Sequence, residues 1–218
     1  MKHTLYLLLA LLLLACQNQS SNNQLEPSSV PIPDTVVTAP PPKPNTPDSA
    51  YLIVPGKSIG HIRLGMSAET VTKRLGKPDS GDAAMGKALS FWIAKQPQEP
   101  RHYVAVYTVT DFDGRSEKPK VQQVQVTSPR FRTRNGIGTG MLLSEIRKQF
   151  NNLQPLAHYL NKQKQEVYIY DDQEQGIAFE VTVLDSLCTA ITIHRKGENM
   201  TDVYLPLYPD ITWLNQPR

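Results

Sequence analysis

Gly65-Met66-Ser67-Ala68-Glu69-Thr70-Val71-Thr72-Lys73-Arg74-Leu75 returns 75 positions later as Gly140-Met141-Leu142-Leu143-Ser144-Glu145-Ile146-Arg147-Lys148-Gln149-Phe150. Each copy is a Gly-Met step followed by an apolar pair at i, i+4: Val71 with Leu75, and Ile146 with Phe150. That spacing places two side chains on one face of a short amphipathic helix. Ser67 is a good N-cap type, and Glu69 suits the positive end of the helix that follows. Gly76 and Pro78 then stop it, Gly as the C′ residue and Pro because it cannot continue. In the second copy Leu142 replaces the capping Ser, and Pro155 is the later breaker.

Working outward, each copy is followed by segments with the alternation of strands. In the first they run over 89–94, 103–110 and 121–127; in the second over 167–171, 177–183 and 187–194. Asp113-Gly114 and Asp185-Ser186 are turn candidates between them. A helix followed by three strands, given twice, predicts an α+β body of two tandem helix-plus-antiparallel-sheet repeats with the helices on one face of the sheet. The repeats span 51–133 and 134–197. Residues 198–218, with Pro206, Pro209 and Pro217, read as an irregular tail that Trp213 and Leu214 dock on the body.

The beginning of the chain is different material. Lys2 precedes an apolar stretch from Leu5 to Ala15, too short to span a bilayer but the length of a signal-peptide core. Its end, Leu13-Leu14-Ala15-Cys16, resembles the lipobox of bacterial lipoproteins at all four positions. The resemblance implies that 1–15 is a signal peptide and that Cys16 is acylated, anchoring the chain in a membrane of the bacterial cell envelope. Each buried methylene of such chains contributes about 0.8 kcal/mol. Gln17 after the Cys is not Asp, and by resemblance to Gram-negative sorting this implies the outer membrane. From Cys16 to Ala50 the chain is rich in Asn, Gln and Ser, then carries eight prolines between Pro27 and Pro47. Such a composition buries too little apolar surface to offset ordering, and predicts an extended tether.

The residues Ile62-Arg63-Leu64-Gly65-Met66-Ser67, with Val71, Leu75-Gly76 and Pro78, carry a second resemblance. They look like beta-lactamase-inhibitor-protein-like domains and the small SmpA/OmlA (BamE-type) outer-membrane lipoproteins. The resemblance covers most of 56–127 and, more faintly, 134–195. These are turn and core residues, so it implies a fold and carries over no catalytic residue.

The formal charge is +3, and Lys2 is the only charge in residues 1–16, which leaves +2 for the rest. No Lys/Arg-rich run concentrates it, so nucleic acid is not an expected partner. His61, His102, His158 and His194 lack metal-ligand spacing and read as scattered surface histidines. Gly56-Lys57-Ser58 lacks the upstream Gly of a phosphate loop. Asp111-Phe112-Asp113-Gly114 lacks the later ligands of a calcium loop. No Ser lies in a GxSxG elbow, Asp171-Asp172 reads as a solvated turn, and Cys188 as a small buried residue. No metal or cofactor is expected, and no catalysis.

The aromatic residues point elsewhere. Alternation sets Trp92 opposite Leu89, Phe91 and Ile93, and sets Tyr168 and Tyr170 opposite Val167 and Ile169. Trp92, Tyr168 and Tyr170 are thus expected on the non-core side of the sheet, where large rigid side chains suit protein recognition. The expected function is a lipid-anchored, non-catalytic module that binds another envelope protein, as an assembly factor or an inhibitor. The alternative is an envelope enzyme or small-ligand binder using a cleft between the repeats. If Cys16 carries the anchor, Cys16→Ser releases the protein from the membrane fraction with its body folded. Recovery of the mutant in membranes, with unchanged detergent partitioning, would remove the claim.

Overall fold

The computed structural model describes residues 48–96, 101–111, 116–201 and 203–214. All of them belong to one compact unit, Pro44–Arg218. The expected signal peptide, Cys16, the Pro-rich stretch and the expected Asp113-Gly114 turn lie outside the described residues.

Three short strands come first: β1 (Leu52–Val54), β2 (Ser58–Ile59) and β3 (Ile62–Arg63). Gly65, at φ +78, turns the chain into helix α1 (Ala68–Leu75). The Ser67 hydroxyl accepts from the Thr70 N–H at 3.2 Å, and Gly76 ends the helix at φ +82. Four strands follow: β4 (Ser80–Ala84), β5 (Lys87–Ile93), β6 (Tyr103–Asp111) and β7 (Ser116–Val126). After β8 (Arg132–Thr133) comes helix α2 (Leu143–Gln149), where the Glu145 carboxylate accepts from the Leu142 N–H in place of a capping side chain. Then come β9 (Gln154–Leu160), β10 (Glu166–Asp172), β11 (Ile177–Thr182), β12 (Cys188–Ile193) and the two-residue β13 (Thr212–Trp213).

These strands make two sheets, one of four strands in the order β3-β2-β1-β8 and one of nine in the order β13-β9-β10-β11-β12-β7-β6-β5-β4. The joint in the large sheet is β12 against β7, with Ile191 opposite Val126 and Ile193 opposite Val124. The small sheet is antiparallel except where β8 runs parallel to β1.

The large sheet is apolar on both faces. On the first, Val106, Val124, Phe179, Ile191 and Ile193 pack with Ile53, Ile59 and Ile62 of the small sheet, with Val71 of α1, and with Ile146 and Phe150 of α2. On the second, Leu89, Ala105, Tyr107, Tyr159, Val167 and Ile169 pack under Met200, Tyr204 and Leu205. Segment 198–214 therefore closes that face, and its end adds β13 to the sheet edge beside β9.

This overturns the expected fold class. The body is mostly β, with two helices of eight and seven residues among the described elements. It is not a tandem α+β arrangement of two helix-plus-sheet repeats with helices covering one face. The two sets of strands join edge to edge through β7 and β12, so neither set has a sheet of its own. The layer over the first face is itself built on a second sheet. Strands buried on both sides require cover on both sides, and two short helices cannot supply it.

Val71 is 1% exposed inside the first core. Val71→Asp puts a carboxylate there with no partner, and is expected to destabilise the body by more than about 3 kcal/mol or to prevent folding. A soluble Val71→Asp protein with the parent melting temperature would place that helix face in water.

Candidate functional site

Tyr168 and Tyr170 leave the same side of β10, two residues apart, and alternation stacks them along the strand. Their ring centroids are 6.0 Å apart. His158, opposite Tyr168 on β9, stacks on it at 5.3 Å and pairs through Nδ1 with Glu166 at 3.0 Å. At the other end the Arg147 guanidinium of α2 lies 5.2 Å from the centre of the Tyr170 ring. The result is a row, Arg147–Tyr170–Tyr168–His158, in which the three rings are half-buried and Arg147 is exposed, fixed by ring contacts and by the His158–Glu166 contact.

The row lies on the first face, where Tyr170 packs against the core. Trp92 lies on that face too, but its indole N–H donates to the Gly76 carbonyl at 3.0 Å. Four strands separate β5 from β10, about 24 Å at normal strand spacing. The three aromatics expected in one patch on a non-core side therefore are not there. Both faces are core, all three residues are half-buried, and only Tyr168 and Tyr170 come together.

Beneath segment 198–214 is a site that alternation alone did not reveal. Glu180, 1% exposed, projects from the middle of β11 into the second face. Its Oε2 accepts from the hydroxyls of Tyr159 at 2.7 Å and Tyr208 at 2.6 Å. Its Oε1 accepts from the Gln125 amide at 2.7 Å and the Tyr204 hydroxyl at 3.0 Å. A second layer orients these donors: Tyr103 donates to the Gln125 carbonyl at 2.8 Å, and Thr192 lies 2.7 Å from the Tyr204 hydroxyl. Next to it Gln123 braces the covering backbone, donating to the Val203 carbonyl and accepting from the Leu205 N–H. Burial raises the Glu180 carboxyl above its usual range, against the lowering effect of its four donors. Burial first, and the Glu180 charge second, push the Tyr159 and Tyr204 phenols upward.

A cavity of about 730 Å³ borders Tyr103, Tyr159, Glu180 and Tyr208, and another of about 690 Å³ lies along Leu89, Tyr107, Gln123 and Tyr204. Neither holds an obvious reactive group. The four donors already fill the acceptor sites of Glu180. Cys188 is buried, its thiol pushed up by burial and pointed at the Ala190 carbonyl.

Two sequence readings are corrected here. His194 is not a surface histidine: it is fully buried, with Nε2 2.8 Å from the Asp171 carboxylate and Nδ1 2.9 Å from the Arg195 carbonyl. Both ring nitrogens are thus engaged inside the fold. Asp171-Asp172 is not a solvated turn either. Both residues are buried in β10, and Asp172 accepts from the backbone and the side chain of Gln175. Among the described residues no group of three or more His, Cys, Asp or Glu is placed to hold a metal ion, and no helix is long and apolar enough to cross a membrane.

No protein-family model matches this chain, and no curated protein matches it. A solved structure similar to it is the 1.5 Å crystal structure of an extracellular protein containing a SCP domain from Bacillus anthracis str. Ames, at 13% identity and a TM-score of 0.38. The match covers 71% of this chain and 50% of that one, so the chain spans half the length of that protein. A likeness this distant carries no argument about fold or function.

The caged phenols make stability depend on pH in one direction. The folded chain keeps Tyr204 protonated where the unfolded chain, at the ordinary value of 10.0, releases the proton. The stabilisation is therefore complete below about pH 10 and is lost as pH rises toward the raised folded value. Urea unfolding should show stability falling above pH 10 by up to about 1.4 kcal/mol per pH unit for such a phenol. Tyr204→Phe should remove that share of the slope, and should cost about 1–3 kcal/mol at neutral pH through the partners it leaves. An unchanged slope in Tyr204→Phe would mean that the hydroxyl is solvated.

Proposed function

We propose that this chain is a lipid-anchored protein of the bacterial envelope, held in the outer membrane by acyl chains on Cys16, and that its body binds another envelope protein without catalysing a reaction. The row Arg147–Tyr170–Tyr168–His158 carries this reading. It holds two large aromatic side chains half-exposed in a fixed geometry, so little rotamer freedom is lost when a partner covers them. Supporting it, the buried groups with catalytic potential, Glu180, His194 and Cys188, are each satisfied inside the fold. The lipobox at Leu13-Leu14-Ala15-Cys16 supplies the address.

A second reading, a small-ligand site, has the cavity of about 730 Å³ beside Glu180 in its favour. It ranks below the first because the Glu180 oxygens have their donors within the protein.

The test is capture of partners from solubilised envelopes, identified by mass spectrometry. Tyr168→Ala with Tyr170→Ala should weaken capture of a specific partner more than tenfold, since aromatic anchors often contribute about 2 kcal/mol or more each. Melting should change little by comparison. Trp92→Ala, which removes an internal hydrogen bond, should lower stability and leave capture intact. Unchanged capture by the double variant would exclude the row as the binding surface.

A further inference from the structure

A net charge of +3 conceals a strong separation of charge between layers. The layer over the first face, residues 48–78 and 129–151, carries ten Lys and Arg against Asp48, Glu69 and Glu145. Two of those acids are engaged locally: Glu69 pairs with Lys73 at 2.6 Å, and Glu145 accepts from the Leu142 N–H. Residues 198–214, over the opposite face, carry no Lys or Arg and three acids, Glu198, Asp202 and Asp210. The sequence hides this because the ten cations come from two stretches that only the fold brings together.

The cations face outward for a simple reason. Ile53, Ile59, Ile62, Val71 and Ile146 turn the inner sides of the same elements into core. Arg63, Lys77, Arg130, Arg134, Arg147 and Lys148 are exposed, and among the described residues none has a carboxylate within ion-pair distance. Two of them lie over aromatic rings, Arg130 at 4.1 Å from the Tyr51 centroid and Arg147 at 5.2 Å from that of Tyr170.

We infer that this basic layer lies against an anionic lipid surface. Unpaired cations gathered on one side attract a sheet of phosphates, and each gains as it comes within a screening length of it. Tyr51 beside Arg130 suits the headgroup region, where a ring meets apolar material and its polar tip meets water. The choice of lipid over other polyanions rests on the reading of Cys16 as the anchor, because an acylated chain meets headgroups first. The segment over the second face then looks away from the membrane. The row on β9 and β10 lies on that same first face, toward the β13 end of the sheet, so a partner that binds it does so at the membrane surface.

The test uses the full lipidated chain in vesicles of phosphatidylcholine alone, or of phosphatidylcholine with phosphatidylglycerol at roughly 7:3, in low salt. Lysines are labelled with an amine-reactive reagent and quantified by mass spectrometry. Lys57, Lys73, Lys77 and Lys148 should label at less than about half their neutral-vesicle rate on charged vesicles, and recover in roughly 0.5 M salt, where screening is short. Lys162 and Lys164 should label equally on both. Arg63→Glu, Lys77→Glu, Arg134→Glu and Lys148→Glu together, all on exposed positions, should abolish the protection of Lys57 and Lys73. Equal labelling of the layer lysines on both vesicle types overturns the inference, as does protection of Lys162 and Lys164 instead. Protection by soluble poly-glutamate but not by vesicles also overturns it, and assigns the surface to an acidic protein. The anchor is read separately. A chain that fails to sediment with neutral vesicles lacks the anchor, whereas one that sediments with both but shows no protection refutes only the lipid-facing layer.

Discussion

One carboxylate fixes how the two halves of this structure meet. Glu180 sits where an apolar residue would complete β11, and removing a charge from water there is costly unless donors replace the solvent. The four that do so come from β7, from β9 and, twice, from the covering segment. Without that segment Glu180 would lose Tyr204 and Tyr208, half its donors. Without Glu180, three phenols would lose a shared acceptor. The sheet and its cover thus depend on each other for polar satisfaction as well as for apolar burial, and Gln123 repeats the arrangement with a side-chain amide.

Much of the body was legible because its strands obey local rules. All six strands read from alternation are present, with bounds within a few residues, and the second-copy segment 177–183 corresponds to β11 at Ile177–Thr182. The two helices lie where the i, i+4 pairs put them. β4 was missed because Ser80-Gly81-Asp82-Ala83-Ala84 is exposed throughout and has no apolar alternation. β9 was missed because Pro155 reads as a breaker near its start, at a place where the β9–β10 register shifts. The tandem-repeat expectation failed for a different reason. Local sequence sets which segments are strands, but the β7–β12 joint that merges them is a pairing between residues more than sixty positions apart.

The site was legible to the same degree. Tyr168 and Tyr170 share a side because alternation within one strand is local. That Trp92 stands across the sheet from them depends on strand order, which is not. A Glu between Phe179 and Val181 in an otherwise apolar run was a signal for a buried carboxylate, and it was available in the sequence. Its tyrosine donors were not, since Tyr204 and Tyr208 lie among prolines in a stretch that has no periodicity. The charge layer was invisible for a related reason. Basic residues spread over two distant stretches form a single surface only after the small sheet, α1 and α2 assemble.

The position of the covering segment in the chain has a consequence for how this protein is made. Residues 198–214 follow every strand of the face that they close, so a chain synthesised or exported from its N-terminal end presents Tyr107, Tyr159 and Ile169 to solvent until those residues emerge. Until those residues are in place the second core is incomplete, and that side of the largest sheet lacks its cover. A chain destined for passage across a membrane in unfolded form gains from such an order, because its final stabilising layer arrives only after the rest has gone through. The same order makes that interval the point at which the chain is most exposed to aggregation, and the point at which a holding chaperone would act.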